Sequence, residues 1–139
     1  MIYYEGFWQV IQWAETKGID IIEDREYEDA FWSDVKQITI NSKNGIETRL
    51  YSLLHECGHA LVRMNKNNFT KQYPAHAEVN CDKRVTSSRK YKVSVLEEEV
   101  EAWKRGLRLA RRLNVQVNEE KYNKLKTKCL MSYINWAGD

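Results

Sequence analysis

What this chain of 139 residues has little of already narrows its class. It contains a single proline, six glycines and three cysteines. One proline and the absence of any low-complexity tract disfavour a disordered or loop-dominated protein. Cys57, Cys81 and Cys129 are odd in number and far apart, which argues against a disulfide framework and predicts reduced thiols. No apolar run approaches the length of a membrane span. The start, Met1-Ile2-Tyr3-Tyr4-Glu5, lacks a basic region before a hydrophobic stretch, so the chain reads as a cytoplasmic protein with no membrane partner. Histidine is also scarce: His55, His59 and His76 are all there is.

What is present gives a core. Five tryptophans, eight tyrosines and three phenylalanines supply bulky anchors, and the length suits one domain over 1–139. Charge is uneven beneath a net +2: residues 1–47 balance at −6 and residues 48–139 at +8. The segment from Lys83 to Lys92 carries five positive charges and no negative one. It could bind phosphate or an acidic partner, or be a solvated loop or hairpin. Lys104, Arg105, Arg108, Arg111 and Arg112 read as the wet face of a helix. No helix-turn-helix, zinc-finger or RNA-recognition signature accompanies these charges, so no motif supports nucleic acid as a partner.

Two of the three histidines fall in the pentapeptide His55-Glu56-Cys57-Gly58-His59, after the apolar run Leu50-Tyr51-Ser52-Leu53-Leu54. Residues four apart share a helix face, so both imidazoles can point at one zinc ion. Glu56 then sits beside the metal, placed to take a proton from an attacking water. Leu50, Leu53, Leu54, Cys57, Leu61 and Met64 recur at helical steps, and Gly58 would let another element pack closely. Cys57 reads as a small core residue. Cys81 near His76 raises a zinc-knuckle idea, for which no C-x-x-C pair exists.

A catalytic zinc site needs a third protein ligand, and the position six residues after His59 is Asn65. The candidates are His76 and the acidic cluster Glu97-Glu98-Glu99-Val100-Glu101. Ser94 and Glu97 form a capping-box pattern that would open a helix at the cluster, using up Glu97. An apolar stripe of Leu96, Val100, Trp103, Leu107, Ala110 and Leu113 follows. Glu99 lies beside that stripe and is preferred over Glu98, with Glu101 more exposed. Three glutamates at a helix start would also suit the helix dipole without any metal. His76 reads otherwise as a surface-loop histidine.

These residues carry a resemblance. Ile38-Thr39-Ile40, the turn Asn41-Ser42-Lys43-Asn44-Gly45, Arg49, and Leu53 through Leu61 resemble the ImmA/IrrE-like metallopeptidases. The stretch Glu98 to Gly106 looks like that of small phage-encoded metallopeptidases, with Trp103 where the family usually has Asn. The resemblance covers roughly 38–113. It implies a zincin-like α+β fold, zinc held by His55, His59 and Glu99, and Glu56 as the base. It further implies an edge strand at Gln37 to Asn41 bordering the cleft, where an extended peptide could add, and a cytoplasmic protein substrate such as a repressor. His76, 17 residues after His59, supports a rival likeness to SprT-like proteases, whose substrates are DNA-associated proteins. A phage inhibitor or other binding protein stabilised by zinc, without catalysis, is the non-enzyme alternative. Tyr73, Tyr91 and His76 are candidates to stabilise an oxyanion.

The remaining pattern predicts a few-stranded sheet on three or four helices. A helix over Tyr3–Lys17 turns Phe7, Val10, Ile11 and Ala14 inward and stops at Gly18. Strands follow at Ile19–Ile22 and Val35–Ile40, with an acidic loop or short helix between them at Asp24–Asp34. Thr48 is expected to cap the active-site helix, which runs to about Met64. Residues 65–94 read as a polar flap with a strand at Tyr91-Lys92-Val93. Asn118 caps a last helix with Tyr122, Leu125, Cys129, Leu130, Tyr133 and Ile134 on its apolar side.

Overall fold

The computed structural model describes residues 1–78 and 82–139; Cys81, and with it the zinc-knuckle idea, lies outside the described residues. The chain is α+β. Helix α1 (Ile2–Thr16) leads through Gly18, at φ +75°, into β1 (Asp20–Asp24). Strands β2 (Ala30–Trp32) and β3 (Gln37–Asn41) form a hairpin whose turn places Lys36 at φ +50°. β3 is central: β1 pairs with it in parallel, Ile21 opposite Ile38, and β2 pairs on its other side antiparallel, Phe31 opposite Ile38. Helices α2 (Ile46–Arg63), α3 (Lys66–Gln72), α4 (Lys83–Thr86), α5 (Arg89–Arg112) and α6 (Glu119–Gly138) complete the order. No helix among the described residues is long and apolar enough to cross a membrane.

The sheet corrects one expectation and extends another. The short strand β2 falls inside the acidic segment read as loop, and β2 and β1, rather than β3, are the sheet edges. Three residues are too few to show period-two alternation, so nothing in the local pattern announces β2. Ile38 and Ile40 bury fully against the helices, while Thr39 faces the other way. Its hydroxyl donates to the Glu28 carbonyl and accepts from the Trp32 indole, which ties the hairpin together.

Helix α2 is the axis of the core. Every residue from Leu50 to Ala60 is buried, so this helix is covered all round, by α1, the sheet and α5. It starts after Gly45 as N-cap, three residues before the expected Thr48, and Thr48 faces a cavity instead. The crossing of α2 with α5 is unusually close because both helices present small residues there. A Cβ on Gly58 would overlap the Ala102 carbonyl, and one on Gly106 would overlap the Leu54 carbonyl. Leu54 and Gly58 on one helix thus meet Ala102 and Gly106 on the other, backbone against backbone.

Helix α5 begins six residues earlier than expected. Ser88, whose Oγ accepts from the Tyr91 amide, is the cap, so Tyr91-Lys92-Val93 is helix rather than strand. Ser94 and Glu97 are therefore mid-helix and form no capping box. Glu97 is exposed, and the glutamates lie too far from the helix start for its dipole to explain them. The buried face is rotated from the apolar stripe, to Glu98, Glu99, Ala102, Trp103, Gly106, Leu109 and Ala110. The basic run 83–92 forms α4 and the first turn of α5, where Lys92 is buried and stacks over Trp136. Arg105 and Arg111 pair with Glu101 and Glu119 rather than standing free. Asn118 caps α6 as expected, with Tyr122 buried on Trp103, but Ile134 is exposed.

Candidate metal centre

The close crossing brings the two halves of the site together. His55 and His59, one turn apart on α2, aim their Nε2 atoms at the same point, 3.1 Å from each other. Glu99 from α5 reaches both: Oε1 lies 3.0 Å from His55 Nε2, and Oε2 lies 2.6 Å from His59 Nε2. All three side chains are buried. Of the glutamates weighed, Glu99 alone meets both histidine Nε2 atoms, while Glu101 is on the surface in pairs with Arg105 and Arg108.

Glu98, the neighbouring residue, serves the outer side of His59. Its carboxylate accepts from His59 Nδ1 (2.6 Å), His76 Nε2 (2.7 Å) and twice from Arg63 (2.8 Å each). Fixing Nδ1 in this way sets the ring orientation and leaves Nε2 for a ligand. His76 is correspondingly not a surface residue: its side chain is 3% exposed, and its Nδ1 meets the Ser94 hydroxyl at 2.6 Å. Both of its ring nitrogens are engaged away from the Nε2 cluster. A loop position with no periodicity gave no signal of that burial.

The electrostatics reflect charges forced together. Burial disfavours protonating His55 and His59, but their carboxylate neighbours outweigh it; His55 is raised and His59 is raised to about 10. Burial likewise raises Glu98 and Glu99, but the histidines, with Arg63 at Glu98, overcome it. Glu99 is held down at about 2, and Glu98 falls well below the usual carboxylate range. Two imidazole nitrogens facing each other at 3.1 Å cannot both aim protons or both aim lone pairs without repulsion. A cation between them, or one shared proton, removes that conflict. Ligands about 2.0 Å from zinc at tetrahedral angles lie roughly 3.3 Å apart. The His55–His59 and His55–Glu99 spacings, 3.1 and 3.0 Å, are near that and the His59–Glu99 spacing, 2.6 Å, is shorter, so the donor set could hold a metal ion such as zinc.

The cluster opens onto a cavity of about 790 Å³. Its walls include Glu56 from α2, Asp29 and Phe31 from the sheet side, and Leu125, Cys129 and Tyr133 from α6. Glu56 is buried, with Oε2 3.2 Å from His55 Nδ1. Cys57 is a fully buried core residue whose thiol burial pushes far above its usual range. Tyr73, Tyr91 and His76 line no part of this cavity; they pack around Phe69 and α5. Tyr133 is the tyrosine that lines it, and burial and the Glu99 charge push its phenol up. Asp29, whose Oδ1 accepts from the Asn41 amide, is a second wall residue that sequence reasoning passed over. It sits just before the unforeseen β2. Comparison with known proteins found no matching family model, no similar curated protein and no similar solved structure.

Proposed function

We propose that the chain is a zincin-type metallopeptidase that hydrolyses peptide bonds of a cytoplasmic protein. The observation that carries this reading is the convergence of His55 Nε2, His59 Nε2 and the Glu99 carboxylate within 3.1 Å at the wall of a cavity that Glu56 also lines. Zinc held by those three residues would polarise a substrate carbonyl and make water more acidic. Glu56 is the group that accepts a proton from attacking water and passes it to the leaving amine. Glu98 keeps the His59 ring turned, and Arg63 and His76 keep Glu98 in place. Tyr133 offers a hydroxyl to the developing oxyanion. The free edge of β2, rather than β3, is where an extended peptide could add, since Ala30 and Phe31 line the cavity.

The experiment is elemental analysis coupled to hydrolysis of an unfolded protein substrate. Wild type should carry one zinc per chain, and Glu56→Gln should keep the metal while abolishing cleavage, because the amide preserves shape without accepting a proton. Glu99→Ala should lose metal, and His76→Ala should retain it. Cleavage by Glu56→Gln at the wild-type rate, or wild type that takes up no zinc, would rule the reading out.

A further inference from the structure

The α6 side of the cavity carries a metal-binding group that the peptidase reading does not use. Cys129 lines the cavity, and its Sγ lies 3.7 Å from Glu99 Oε1. Ligand atoms of His55, Glu99 and Cys129 all fall within 4.8 Å of one another. An oxygen about 2.0 Å and a thiolate about 2.3 Å from one tetrahedral zinc sit roughly 3.5 Å apart. The sulfur is therefore spaced from Glu99 as a co-ligand would be.

Trp103 supplies a second, independent observation. Its indole stacks flat on His55, with ring centres 4.1 Å apart and planes 9° from parallel. The residue is 2% exposed, and its Nε1–H makes no hydrogen bond. A buried donor left without an acceptor costs about 1–3 kcal/mol. That N–H lies near the Cys129 sulfur without forming a hydrogen bond to it. A protonated thiol is a weak acceptor, whereas a metal-bound thiolate is a good one, and a donor to the ligand atom orients it.

We propose that Cys129 is a fourth protein ligand of the metal, oriented by the Trp103 N–H, and that it closes the resting centre. The inference rests on reading His55, His59 and Glu99 as the other three ligands. Four protein ligands make a closed site, whereas a catalytic one keeps a position open. On the peptidase reading one position must be open, so the sulfur would have to leave the metal before cleavage.

The test loads the full chain with cobalt(II) in place of zinc. Wild type should show a near-ultraviolet thiolate-to-cobalt charge-transfer band. Cys129→Ser should lose that band yet keep the visible cobalt bands, and Cys81→Ala should keep both. Trp103→Phe, which preserves the stack but removes the N–H, should move the charge-transfer band to lower energy. A thiol reagent should label one more cysteine per chain after chelation than before. Cobalt bound without the band, or a band that survives Cys129→Ser, overturns the proposal and leaves the three-ligand centre standing. Wild type that binds neither cobalt nor zinc overturns both.

Discussion

Glu98 and Glu99 are adjacent in sequence and identical in chemistry, yet α5 gives them different work. About 100° of helix rotation separates them, so one takes the Nδ1 side of His59 and the other the Nε2 side. The result in the metal-free chain is a set of buried charges with a definite pH response. His59, raised above its ordinary 6.5, contributes stability fully present below that value and lost as pH climbs through about 10. Glu99, lowered from 4.5, contributes stability present above 4.5 and lost as pH falls through about 2. Both contributions are intact only between those ordinary values, so this cluster should stabilise the metal-free protein most between pH 4.5 and 6.5. If zinc binds here, metal and proton would compete for the same Nε2 atoms, so zinc uptake at neutral pH should release protons. Titration calorimetry in buffers of different ionisation enthalpy checks this. The apparent heat should depend on the buffer at pH 7 and progressively less toward pH 10. A heat independent of buffer at pH 7 would remove the histidines as ligands.

At the level of elements, the α2–α5 crossing decides whether the residue chemistry can occur. Gly58 and Gly106 let two backbones touch, and that proximity puts Glu99 within reach of both histidines. Gly58→Ala should therefore cost about 1–3 kcal/mol from overpacking. It should also weaken metal binding disproportionately, since α5 must shift away from the Ala102 contact. Denaturant midpoints together with metal affinity test it; an unchanged affinity would mean that the crossing does not set the site. The helical pentapeptide and the small residue at its fourth position were legible, because each is written in local helical spacing. The face of α5 was misjudged for a physical reason. An apolar stripe marks burial only where the interior is apolar, and here two carboxylates and a glycine are the inward residues. The role of His76 and the edge strand β2 depend on contacts between distant segments, which no local pattern encodes.

For the whole molecule, the candidate centre joins the middle of the chain to its C-terminal half. His59 and Glu99 meet across the segment 60–98, which holds α3, α4 and the start of α5. Removing metal from the folded protein should lower its melting temperature by about 10 °C or more, and adding zinc back should restore it. A melting temperature indifferent to chelator would count against a metal bound in the native state. The same geometry bears on the unfolded chain. Zinc spanning residues 59 and 99 would act as a reversible cross-link, closing a loop of some forty residues whose entropy the denatured ensemble would otherwise recover. By the chain-entropy treatment used for disulfides, a closure of that length is worth about 4 kcal/mol. A protein with no disulfide among its described residues would thus hold a staple that a chelator, rather than a reductant, removes.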